Sequence, residues 1–208
     1  MTDHQQQPLK RALIRGMLVR SSCKEARARA YEALKAFPLF LLLLAHGYPT
    51  RIWLLDEGES PGSAFHNLPQ GRPPVGYPGD VERCRGVTVP VSGGVAIFSS
   101  WSSLLVLRHE FAHAVTTFLS PQARAEMLHR YRHALECDAF VEPLASLNPA
   151  EYAACAFSSY FIKERRERLE AVDPGLAATV CRLMTEAERV SRWLYHRNSA
   201  SLGLSRQA

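Results

Sequence analysis

The feature that most narrows what this chain can fold into is a polar cluster inside an apolar run. Residues 104–115 read LLVLRHEFAHAV, with His109, Glu110 and His113 set among leucine, valine, phenylalanine and alanine. A helix this apolar is expected to be buried, and imidazoles and a carboxylate are costly there without partners. Residues four apart stand one turn apart on the same helix face, so both imidazoles can point at one ion. Glu110 then projects beside that ion, where a carboxylate can take a proton from a metal-activated water. The HExxH spacing thus follows from the chemistry, and a metal is the partner that removes the cost.

Two imidazoles are not a complete protein ligand set; a catalytic site of this kind takes a third. Glu136, Glu142 and Glu151 lie downstream. Glu136 sits in Glu136-Cys137-Asp138. Glu151 sits in Asn148-Pro149-Ala150-Glu151, where it also has the position of a capping glutamate at the start of a helix. Spacing alone leaves the choice open.

The rest of the chain supplies the setting. Residues 1–20 read as a mobile start, 21–197 as one domain and 198–208 as a frayed tail. Ser22 and Glu25 have capping-box spacing, which predicts a helix from Cys23 to about Ala36. Pro38 and Gly47 bracket the next helix. Arg51–Leu55 (RIWLL) reads as a buried strand, and VTVPV and VAIFS, within residues 86–91 and 94–99, as two more. Residues 57–86 are rich in Gly and Pro and form a long irregular segment, a type more often functional than idle. Helices follow: about Ser102 to Leu119, Pro121 toward Arg132 behind a Ser120 cap, Pro149 to Glu170 behind Asn148, and Pro174 to about His196. A few strands first and then mostly helices is an α+β order.

The pairing of HEFAH with NPAEYAACAFSSYF (residues 148–161) resembles the zinc peptidases grouped with the anthrax lethal factor catalytic domain, most of all the Mlc titration factor A family. The matching residues are His109, Glu110, Phe111, Ala112 and His113, then Asn148, Pro149, Ala150, Glu151 and Ala154. The resemblance implies a single zincin-like domain, with a small twisted sheet packed against a zinc helix and a glutamate helix. It implies one Zn2+ per chain, held by His109, His113 and Glu151, with Glu110 as catalytic base and a peptide or protein as substrate. The substrate is expected to lie extended along an edge strand near Gly94–Ser99. The family places a tyrosine seven residues before the ligand glutamate to steady the oxyanion; that position here is Leu144. Loss of one such donor costs about 10²–10³ in rate. Tyr77, Tyr152 and Tyr160 are candidates to replace it, and a zinc-stabilised binding or regulatory protein is the alternative function.

Other features carry bland readings. His129 and His133 are four apart but flanked by Arg130 and Arg132 without an intervening glutamate, as on a solvated face. Cys155 reads as a buried structural thiol, and Lys163–Arg168 as a charged surface with i,i+4 pairs such as Glu164 and Arg168. Five cysteines without a CxxC pair argue against a disulfide framework and for a reducing, cytoplasmic setting. The longest apolar stretch, Ala36–Ala45, is too short to span a bilayer. A net charge of +5 from scattered arginines does not suggest nucleic acid. Oligomeric state is not legible.

Overall fold

The computed structural model describes residues 3–21, 23–64 and 84–201, with side chains placed for 6–21, 23–64 and 84–189. The expected α+β order holds. Helix α1 (Asp3–Met17) and strand β1 (Leu18–Arg20) precede α2 (Lys24–Leu34), α3 (Leu39–Gly47) and β2 (Thr50–Leu55). A short α4 (Pro61–Ala64), the strands β3 (Gly86–Val91) and β4 (Gly94–Ser100), and the helices α5 (Leu104–Thr117) and α6 (Pro121–Cys137) come next. A 3₁₀ helix (Pro143–Ser146) leads into α7 (Pro149–Tyr160), α8 (Lys163–Val172) and α9 (Pro174–Ser201).

The sheet has the order β1-β2-β4-β3, with β3 antiparallel to β4 and the other pairings parallel. Strand alternation sorts its residues by face. Ile52, Leu54, Val95 and Ile97 join the core shared with the helices. Trp53, Leu55, Val87, Val89, Ala96 and Phe98 form a second cluster, in which the Trp53 and Phe98 rings stack 4.9 Å apart. Gly94 starts β4 where a Cβ would stand 2.1 Å from the Pro49 carbonyl oxygen, which accepts from the Val95 amide at 3.1 Å.

Four sequence expectations are corrected here. The start of the chain is not loosely held: Leu13, Ile14 and Met17 of α1 are buried in the main core, and β1 pairs with β2. Gly94–Ser99 is not an edge. The β3–β4 hairpin turns at Gly93 (φ +76°) and places β4 between β2 and β3, so among the described residues the edge strands are β3 and β1. The helix expected from Pro149 to Glu170 is two helices. Ile162 adopts an extended conformation, and Phe161 packs against Phe37 with ring centroids 5.1 Å apart, anchoring the break in the core. Finally, α2 is capped by Cys23, whose Sγ accepts from the Ala26 amide at 3.3 Å. Ser22, most of the 57–86 segment, and the tail beyond residue 201 lie outside the described residues.

Helix α7 sits at the centre of the helical layer, packed against α5, α6, α8 and α9. Residues Tyr152 through Ser159 are all buried, and Ala153, Ala154 and Ala156 keep its surface small enough for close approach. Its one large polar side chain in the core is satisfied: Tyr152 Oη donates to Asp173 Oδ2 at 2.6 Å, while Asp173 Oδ1 accepts from the Leu176 amide and caps α9. Tyr152→Phe keeps the ring and removes the donor, leaving a buried carboxylate oxygen unpaired. We expect a loss of about 1–3 kcal/mol, measured as a lower urea midpoint with an unchanged m-value. An unchanged midpoint would show that water satisfies Asp173 equally well.

Candidate metal centre

Three side chains from two helices converge. Ser103 caps α5, its Oγ accepting from the Val106 amide, and the following two turns carry His109 and His113 on one face. Asn148 caps α7, its Oδ1 accepting from the amides of Ala150 and Glu151 at 2.9 Å each. That cap fixes the first turn and hence the direction of Glu151. The Glu151 carboxylate does not turn back to cap its own helix. Its Oε2 lies 2.9 Å from His109 Nε2 and its Oε1 3.3 Å from His113 Nε2. The two Nε2 atoms are 3.0 Å apart, and the rings stand nearly perpendicular at 83°.

This donor set fits a zinc ion. Ligand atoms about 2.0–2.1 Å from a common ion at tetrahedral angles stand about 3.3 Å from one another. The separation of the two nitrogens and that of each from its nearer carboxylate oxygen are close to that edge length, and one ligand atom from each of the three residues lies within 4.8 Å of the others. Two imidazole nitrogens and a carboxylate facing one point in a half-buried site leave negative charge and lone pairs to be met by a cation. Burial raises the Glu151 pKa, but hydrogen bonds from His109 and His113 and their charges outweigh it and hold the carboxyl at about 2. On the far side of His109, Nδ1 lies 3.9 Å from Cys155 Sγ. Cys155 is buried, as expected of a structural thiol, and burial pushes its pKa up.

Glu110 faces the same region but is not among the converging atoms. It is 7% exposed, and burial lifts its pKa to about 7 against the lowering effects of His109 and a hydrogen bond from Thr88. Thr88 Oγ1 lies 2.7 Å from Glu110 Oε2 and 2.8 Å from the Glu110 carbonyl oxygen, and donates there. Gly86, one strand period earlier, lets β3 lie against this side chain. A Cβ at Gly86 would stand 2.8 Å from Glu110 Cγ, 2.9 Å from Oε1 and 2.6 Å from Val106 Cγ1.

These groups open into a cleft of about 1070 Å³, walled by β3, α5, the 3₁₀ helix and the start of α7. Leu144 is in that wall and 41% exposed, as are Leu105 and Leu147 at 47% and 68%. Tyr152 points into the core toward Asp173, and Tyr160 closes the other end of α7, its pKa pushed up to about 12 chiefly by a hydrogen bond with Cys181. Tyr77 lies outside the described residues. Among the described residues, therefore, no tyrosine lines the cleft. Glu136 is exposed on α6 and does not join the ligand cluster; Glu142 lines the cleft but pairs with Arg165 at 3.2 Å. His129 and His133 are exposed on α6.

Three residues of the site escaped the sequence reading. Thr88 carried a usable signal: it alternates with Val87 and Val89, so it must face the helices. Gly86 and Arg165 did not. Arg165 belongs to the run read as charged surface, yet it lines the cleft, and the ion pair on the outer face of α8 is Arg166–Glu170.

No family model matches the sequence, and no curated protein matches it. Among solved structures, the chain is similar to the Pro-Pro endopeptidase PPEP-2 from Paenibacillus alvei. The TM-score is 0.57 at 21% identity, over 82% of this chain and 99% of that one. The likeness shows the fold, an α+β, zincin-like single domain.

The raised proton affinity of Glu110 has a consequence for the metal-free protein. The native state holds a proton that the unfolded chain releases near pH 4.5, so stability is fully present below that pH. It is lost as pH rises through about 7. The contribution is on the order of 3 kcal/mol at most. In chelator, wild type should lose stability between these limits relative to Glu110→Gln, whose side chain does not titrate. Parallel stability–pH curves for the two proteins would contradict the burial argument.

Proposed function

We propose that this protein is a zinc-dependent peptidase, holding one Zn2+ per chain through His109, His113 and Glu151. The observation that carries the reading is the convergence of these three ligand atoms beside a buried carboxylate on an open cleft. The likeness to a Pro-Pro endopeptidase supports it. So do the HEFAH and NPAE blocks, which resemble those of the Mlc titration factor A and lethal factor group. When bound, zinc supplies a Lewis acid for the scissile carbonyl and acidifies water at the site. Glu110 is the base. Thr88 holds its Oε2, which leaves Oε1 to take the proton of the attacking water and pass it to the leaving nitrogen. A carboxyl poised at about 7 is suited to both halves of that exchange. The substrate lies extended beside β3, where main-chain pairing can hold it, and the exposed leucines of the cleft offer apolar contact. Five cysteines without a CxxC pair suit a reducing compartment such as the cytoplasm. No helix among the described residues is long and apolar enough to cross a membrane.

A second reading, a zinc-stabilised binding or regulatory protein, is favoured by one observation: Leu144 stands in the cleft wall where the family pattern has a hydroxyl. Chelator-sensitive hydrolysis of a generic peptide separates the two.

Metal content and turnover test the assignments together. Wild type and Glu136→Ala should each carry close to one zinc per chain, and Glu151→Ala should lose it. Glu110→Gln should keep the metal and lose about 10²–10⁴ in rate. Metal loss in Glu136→Ala but not in Glu151→Ala would show that the wrong carboxylate has been chosen. Full turnover in zinc-loaded Glu110→Gln would remove the base.

A further inference from the structure

The cleft contains a cation that this mechanism has not used. Arg165, near the start of α8, lines the cleft together with His109, Glu110, His113 and Glu151. Its Nη2 donates to Glu142 Oε2 at 3.2 Å, with the two side chains 32% and 25% exposed. Glu142 is the N-cap residue of the 3₁₀ helix that carries Leu144. The guanidinium is therefore tied to the stretch of wall where a hydroxyl is missing. Glu142 also raises the proton affinity of the Cys155 thiol, whose Sγ is the atom 3.9 Å from His109 Nδ1.

A guanidinium presents five N–H donors in a rigid fork and stays charged. Among the described residues, Glu142 is the one acceptor bonded to Arg165, so most of the fork is unspent. A partly buried, fixed and permanently charged donor is well suited to meet negative charge that develops only during a reaction.

The geometry points to Arg165, positioned by Glu142, as the donor to the carbonyl oxygen of the substrate, in the role that Leu144 cannot fill. This rests on the peptidase reading. As the oxygen of water bonds to the carbonyl carbon, the C=O π pair moves onto the carbonyl oxygen, and the N–H groups of Arg165 stabilise it there. The pair returns as the C–N bond breaks, and the proton held by Glu110 goes to the departing nitrogen. Arg165 neither gains nor loses a proton.

Binding of two inhibitors to the zinc-loaded protein, measured calorimetrically, tests this without relying on turnover. A phosphinic peptide presents a tetrahedral anion with two oxygens; a mercaptoacyl peptide reaches the metal with one sulfur and offers nothing to an oxyanion donor. Arg165→Ala should weaken the phosphinic peptide about 100-fold and leave the mercaptoacyl peptide within about 2-fold. Arg165→Lys keeps the charge but not the fork, and should lose about 10-fold on the phosphinic peptide alone. Thermal melting establishes that each variant is folded; should the alanine variant not fold, the lysine variant decides. Equal losses on both inhibitors, or no loss on the phosphinic peptide, would overturn the role of Arg165 while leaving the peptidase reading intact. Failure of zinc-loaded wild type to bind either inhibitor would overturn the peptidase reading, and this inference with it.

Discussion

Helices α5 and α7 meet closely enough for side chains of each to reach one point, and the rest of the site depends on that contact. It is made possible by size. Ala153, Ala154 and Ala156 give α7 a low surface, and Ala112 and Ala114 do the same for α5. The first turns of the two helices are fixed by separate caps, Ser103 and Asn148. The sheet supports this pair from β3 and β4, and α9 is locked to α7 through the Tyr152–Asp173 bond.

Within that frame two carboxyl groups are driven in opposite directions. Glu151 faces two imidazoles, which hold it near 2 despite its burial. Glu110, on the other helix, is buried under β3 with one hydroxyl donor, and rises to about 7. One group is suited to stay ionised as a ligand and the other to exchange a proton near neutrality. The same fold produces both because only one of them has two imidazoles at hydrogen-bond distance.

The local parts of this arrangement were legible in the sequence. The i,i+4 histidines placed both imidazoles on one face, and Asn148-Pro149 marked the start of α7 to the residue. Glu151 was separable from Glu136 only through the resemblance; in the structure the difference is that α6 directs Glu136 to solvent. What the sequence concealed was non-local. No pattern in VTVPV says that β3 folds outside β4, nor that its threonine meets a glutamate twenty-two residues later. A run of six residues, all of them charged, gives no sign that its third member turns into a cleft. The buried start, Leu13 to Met17, was missed because its polar flank hid an amphipathic helix.

The absent side chain at Gly86 lets the edge of the sheet rest directly against Glu110. With under 3 Å between a virtual Cβ and the Glu110 carboxyl, nothing compressible separates strand from side chain. A displacement of β3 by a few tenths of an ångström is therefore passed to Glu110 without attenuation, and Thr88 moves on the same strand with it. On the proposed function, a peptide that paired with β3 would pull on that strand as it docked, and so would set the reach of the carboxyl group meant to act on it.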